Sequence, residues 1–183
     1  SRGGGEVAME VEPSALNGFD FTKRGGELGV RAVVVTSELP EHVGLRGMAR
    51  VNELSRADGG QVKSEFIKLR SNNAGASVTF ASQFESGFGG AQALGERGKP
   101  MEEVVDEAYY AFIHWLNSER GVDEFLSDQL ILPAVFSHEN CAFTTSRITS
   151  TLLTTIWVVK QFMPARITVK GREGEPGEIS VAV

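Results

Sequence analysis

Residues 121–163 read GVDEFLSDQLILPAVFSHENCAFTTSRITSTLLTTIWVVKQFM. An acidic-amide pair, Asp128-Gln129, interrupts an otherwise apolar run, and a Ser/Thr-rich segment then leads into a second apolar stretch that stops at Pro164. Residues 123–136 have the length and composition of a largely buried helix. Residues 149–163 admit two readings: Thr, Ile and Val favour a strand, whereas fifteen residues ending before a proline favour a helix. A carboxylate and an amide set between Phe125-Leu126 and Leu130-Ile131-Leu132 cost free energy to bury unless partnered. A structural network, a helix cap, a ligand's ribose hydroxyls or purine nitrogens, or a metal would each satisfy them, and the residues alone do not choose.

Working outward, residues 5–12 and 29–36 read as strands from alternation or β-branched content. Pro40 suits the first turn of a helix, and Val43, Met48, Val51 and Leu54 give it a partial apolar face to about residue 55. Residues 62–69 and 76–84 form two more strand-like runs, joined by the turn-forming Ser71-Asn72-Asn73-Ala74-Gly75. The clearest helix is 100–120. Pro100 opens it, four acids lie near the positive end of its dipole, and Gly121 supplies a stop. Val104, Val105, Ala108, Ala111, Phe112, Trp115 and Leu116 recur along it at helical spacing. Residues 165–170 and 178–182 close the chain as a hairpin. This alternation predicts an α/β or α+β architecture.

Composition bounds the function. The chain of 183 residues is 41% hydrophobic and 23% charged, which is ordinary globular usage. A net charge of -6 argues against broad coating of nucleic acid, though it leaves room for a local basic groove. The lone Cys141 cannot form an internal disulfide, and no apolar run is long enough to span a bilayer, so a cytoplasmic protein with no membrane partner is expected. The opening Ser1-Arg2-Gly3-Gly4-Gly5 lacks a starting Met and reads either as a tag scar or as the middle of a longer protein.

Several motifs invite chemistry and have plainer explanations. Gly87-Phe88-Gly89-Gly90 could present backbone N–H groups to phosphate, but no Gly-Lys-Ser/Thr follows, and the spacing favours a structural loop. His42, His114 and His138 are scattered singly, with no metal-ligand spacing to Cys141. His114 is most simply a core or boundary residue and His138 a solvated loop residue. Cys141 lacks a placed base and reads as a small buried residue. No Gly-x-Ser-x-Gly elbow is present.

The run ALGERGKPMEEVVDEA, then GVDEFLSDQLILP, then the Ser/Thr segment leading to LLTT and VVKQFMP, resembles the RNA 3'-terminal phosphate cyclase family. The opening RGGGEVAMEVEP also resembles that family's passage into its later repeats. The resemblance implies repeated βαβ-containing units, of the kind shared with enolpyruvyl transferases, and a smaller α/β domain inserted before the last unit. Laid on this chain, residues 1–17 would finish one unit, 18–120 would be the insert, and 121–183 the last unit. The family's N-terminal units would be missing.

The resemblance also implies chemistry: ATP and Mg or another divalent metal as cofactors, an RNA 3' end as substrate, and a histidine that takes AMP before the RNA phosphate does. The product would be a 2',3'-cyclic phosphate. By family match Phe125 would stack on the adenine, and Asp128 and Gln129 would lie against the nucleotide and nucleophile. The family's nucleophilic histidine falls just before the Leu-Leu-Thr segment, where this chain carries Thr151. A Thr hydroxyl has too high a pKa to replace imidazole without a strong base, which disfavours adenylylation there. His138 would have to enter from the preceding loop to compensate. The alternatives are a non-catalytic RNA-binding or ribosome-assembly module of the same family, with Arg147 and Lys160 as candidate contacts, and an enolpyruvyl transferase-like enzyme suggested by the shared unit alone.

Overall fold

The computed structural model describes residues 7–182 and gives an α/β fold of two mixed four-stranded sheets. Along the chain run β1 (Asp20–Phe21), β2 (Glu27–Ser37), α1 (Glu41–Ala57), β3 (Val62–Leu69), β4 (Gly75–Phe84), β5 (Gly87–Leu94) and α2 (Met101–Ser118). They are followed by α3 (Leu126–Gln129), α4 (Ile131–Phe136), β6 (Cys141–Thr145), α5 (Ser150–Phe162), β7 (Arg166–Lys170) and β8 (Gly177–Ala182).

The first sheet has the order β3-β2-β4-β5, with β3 parallel to β2 and the other pairs antiparallel. Alternation along its strands sends Ala32, Val34, Val78, Phe80, Ala91 and Ala93 to one face, where α1 and α2 cover them. From α2, Val104, Val105, Ala108, Phe112 and Trp115 complete this core. The opposite face carries no helix of its own. Each of the two helices follows a proline whose missing N–H costs nothing at a helix start, and acids occupy both first turns.

The second sheet has the order β1-β6-β8-β7. Strands β6 and β7 are each antiparallel to β8, so they run parallel to one another with β8 between them, and α5 makes the crossover. Ile148, Leu152, Ile156 and Val159 seal this second core against Phe143, Ile179 and Val181. Val122 joins the two sheets, with a parallel bridge to Phe88 of β5 on one side and to Thr145 of β6 on the other.

The structure corrects several expectations. Residues 7–12 form no strand and lie exposed, and residues 5 and 6 fall outside the described residues. Alternation is not enough for a strand when no neighbour accepts its hydrogen bonds. Gly87-Phe88-Gly89-Gly90 is the start of β5, not a loop. Its glycines answer to crowding: a Cβ at Gly89 would sit 2.7 Å from the Trp115 ring, and one at Gly90 2.3 Å from the Phe80 carbonyl.

Helix α2 ends at Ser118, with Glu119 in the left-handed region at φ 56°, so Gly121 is not its stop. Gly121 is glycine because a Cβ there would meet the Phe21 carbonyl oxygen at 1.7 Å. The expected long helix 123–136 is two short ones broken at Leu130, and it is only half-buried, with Leu132 and Phe136 exposed.

The ambiguous run 149–163 is a helix. The Thr149 hydroxyl caps it by accepting from the Leu152 N–H at 3.0 Å. Residues 18–21, grouped by sequence with the insert, lie in the second sheet. Asp20 and Phe21 pair with Ala142 and Phe143, and Phe19 packs beside Phe143. His114 is exposed because the helical spacing that turns Phe112 and Trp115 inward turns it outward.

Candidate functional site

The seam between the sheets is built by residues 121–123. The Phe88 N–H donates to the Gly121 carbonyl at 3.1 Å, and the Val122 N–H to the Thr144 carbonyl at 2.9 Å. The Gly121 N–H donates to the Thr144 hydroxyl at 2.9 Å. Asp123 then faces both ways. One carboxylate oxygen accepts from the Gly90 N–H at 2.9 Å, and the other accepts from the N–H groups of Phe125 and Leu126, each at 2.8 Å. With three backbone donors spent on it, this buried carboxylate ties β5 to the turn that enters α3. Sequence reasoning passed over Asp123. The available signal was an acid two residues before an exposed aromatic at a helix start, the position of an Asx-type cap.

Beside the seam lies an open groove of about 1700 Å³. Its lining takes in the helix-free face of the first sheet, the end of α1 and the start of α3. Phe125 stands at the α3 wall with 63% of its surface exposed. Gln129 lies one turn on, and its side-chain N–H donates back to the Phe125 carbonyl at 3.3 Å, leaving the amide oxygen free for a partner. Phe125 and Gln129 thus share the groove. Asp128 is half-buried on α3 and is not among the groove-lining residues. The premise that Asp128-Gln129 sits in an apolar interior does not hold, because Gln129 and Leu132 are exposed.

Thr151 occupies the first turn of α5, exposed, two residues after the Thr149 cap. Helix α5 packs against α3, so Thr151 and Phe125 belong to neighbouring elements, but Thr151 does not line the groove. Among the described residues no protein group hydrogen-bonds the Thr151 hydroxyl. His138 lies exposed in the loop before β6, whereas α5 follows that strand, and His138 is not among the groove-lining residues. Cys141 is buried, with its sulfur near the carbonyls of Ala134 and Glu139, as expected of a small core residue. Arg147 is partly engaged, 3.5 Å from Glu124, and Lys160 donates to the Ile167 carbonyl at 2.9 Å.

Arg24 lies beside the seam, its carbonyl accepting from the Ser86 N–H. Its guanidinium lies 4.6 Å from the Phe84 ring centroid and donates to the Leu116 carbonyl. Burial pulls its pKa down, against the pull of Glu119 and Glu27. Among the described residues no three His, Cys, Asp or Glu side chains converge to hold a metal ion. No helix among the described residues is long and apolar enough to cross a membrane.

Two sheets stitched along a seam, with an aromatic and an amide lining the adjoining groove, define an α/β protein with an open cleft beside its sheet junction. The family model described as RNA 3'-terminal phosphate cyclase matches residues 1–169, and the chain belongs to that family. The RNA 3'-terminal phosphate cyclase of Methylococcus capsulatus is 32% identical over 181 residues, covering 98% of this chain and 50% of that protein. That of Salmonella typhimurium is 33% identical over 173 residues, covering 93% and 50%. That of Gloeothece citriformis is 31% identical over 169 residues, covering 91% and 48%. The chain spans about half the length of the curated relatives it matches.

Proposed function

We propose that this chain forms the nucleotide-facing half of an RNA 3'-end-binding protein of the cyclase family, and that it no longer takes up AMP covalently. What supports the reading is Thr151, which the resemblance puts at the family's nucleophile position and which no protein group hydrogen-bonds among the described residues, together with Phe125 and Gln129 lining a groove. In this reading the Phe125 ring offers a stacking face for a purine, worth about 1–3 kcal/mol per base. Gln129, anchored through its amide nitrogen, presents its oxygen to the same ligand. Bound ATP would supply an activated phosphorus for transfer. In this reading the backbone N–H groups at the start of α5 would receive phosphate charge. Any divalent ion would be held by the nucleotide's own phosphates or by residues outside this chain.

A Thr hydroxyl stays protonated near neutral pH and is a poor nucleophile without an adjacent base. The ATP-dependent conversion of an RNA 3'-phosphate to a 2',3'-cyclic phosphate, which the family resemblance implies, would then stop before its covalent step. Binding of RNA ends without turnover would remain.

The test is Thr151→His in the full-length protein, incubated with α-labelled ATP. The expected outcome is no covalent label on the wild type and a stable adenylate on the variant. Label on the wild type at Thr151 would overturn the reading. No label on the variant, in a protein that still binds ATP, would show that the pocket has lost more than its nucleophile.

A further inference from the structure

The helix-free face of the first sheet has an ordered composition. Register places Lys63, Arg31, Ala81 and Gly90 side by side in one row across β3, β2, β4 and β5. Two cations therefore lead onto two positions with almost no side chain, and Gly90 ends the row against Asp123, which enters the α3 wall. The preceding row sets Gly29, Gln83 and Phe88 together, and Phe88 is 40% exposed with only an edge-on contact to Phe21. Arg56, at the end of α1, lines the same groove.

Arg31, Arg56 and Lys63 make no ion pair among the described residues, and so are not tied down by a protein carboxylate. Of the two carboxylates in the lining, Asp123 is turned to three backbone donors and Glu27 is not, so three cations face two anions of which one is already engaged. The lining thus carries an excess of one positive charge in a chain of net charge -6. The floor of this trough is flat and amide-lined, and its rim carries exposed aromatic rings at Phe88 and Phe125.

We infer that this trough is a track for single-stranded RNA, holding the nucleotides upstream of the 3' end. Backbone phosphates lie on Lys63, Arg31 and Arg56, one base stacks on Phe88, and the small residues Ala81 and Gly90 let the strand pass toward Phe125. Cations set the affinity and rings accept any base, the combination by which single strands are held without sequence preference. An acidic polypeptide would use the cations but would have no need of the exposed rings. The inference deepens the proposed function and rests on its assignment of RNA as ligand.

The experiment measures binding of fluorescein-labelled oligouridylates carrying a 3'-phosphate, about 4 and about 12 nucleotides long, to the full-length protein across a salt series. Wild type is expected to bind the longer oligomer more tightly. A triple variant, Arg31→Ala with Arg56→Ala and Lys63→Ala, should lose about tenfold or more on the longer oligomer only. It should also lower the slope of log affinity against log salt by about 2, near 0.7 for each phosphate released. Phe88→Ala should weaken binding about 5- to 150-fold, and Phe88→Tyr should restore it.

An unchanged length dependence and salt slope in the triple variant, with its thermal melt intact, would overturn the track. So would displacement of the oligomer by polyglutamate as readily as by unlabelled RNA. If ATP labelling gives the result that overturns the Thr151 reading while the triple variant still loses long-oligomer affinity, the track stands and only the catalytic reading falls.

Discussion

The two sheets solve the same packing problem with different means. The first is covered on one face by two long helices, α1 and α2, and its core is a continuous apolar cluster centred on Phe80, Phe112 and Trp115. The second is held by shorter helices and by polar groups inside the fold. Asp123, Ser127, Ser137, Thr144 and Thr145 are buried there, and each bonds a backbone group. Apolar burial is non-directional, so the first sheet needs only a matching face. Hydrogen bonds are directional, so the second fixes the seam and the α3 turn at defined positions beside the groove.

This contrast sets the order of expected effects. Trp115→Ala empties the first core and should destabilise by about 3–5 kcal/mol, seen as a large fall in the urea midpoint. A loss below about 1 kcal/mol would mean that the first core is not the packed body described. Asp123→Ala strands three backbone donors at the seam and should cost about 2–3 kcal/mol. Its signature is local: the amides of Gly90, Phe125 and Leu126 should gain hydrogen exchange together, while those of β2 and β4 stay protected. Uniform loss of protection would erase the distinction between the two regions.

Thr149→Ala removes the α5 cap and should cost about 1 kcal/mol, with Thr149→Ser nearly neutral in the same melt. Trp157→Ala, on the outer face of α5 where the ring is 64% exposed, should change the melt of this chain by less than about 0.5 kcal/mol. The pair Trp115 and Trp157 thus tests whether burial or residue type governs.

The smallest effect concerns pH. Hydrogen bonds from the hydroxyl and N–H of Thr22 hold the Asp20 carboxyl below its ordinary value of 3.8. A depressed folded pKa means that this contribution is present above about pH 4 and is lost as pH falls through the folded value. Asp20→Asn should flatten the acid limb of the stability curve slightly, and an unchanged limb would remove Asp20 from the account.

The sequence made the periodic elements legible. The spacing of Val104, Val105, Ala108, Phe112 and Trp115 marked α2, the β-branched runs marked β2 and β3, and the closing hairpin was visible from its glycines. Strand β5 was hidden because its glycines serve close approach to Trp115 and Phe80, and local pattern cannot distinguish that from a loop. Strand β6 was missed for a related reason: five residues with two threonines carry no alternation of their own, and β8 on one flank and β1 on the other define them.

The site divides in the same way. Phe125, Gln129 and Thr151 could be named from the chain, since residue type and order suffice to mark a family position. Asp123 could not, because its three partners come from β5 and α3 and meet only when the sheets are joined. The row Lys63-Arg31-Ala81-Gly90 likewise exists only through strand register, which draws on residues nearly sixty apart in sequence. Sequence alone determined where the long helices α1 and α2 form and that a threonine, not a histidine, precedes Leu152-Leu153-Thr154. Tertiary structure decided which face of the first sheet stays open and which charges stand together on it, because hydrogen-bonded pairing between distant strands sets both.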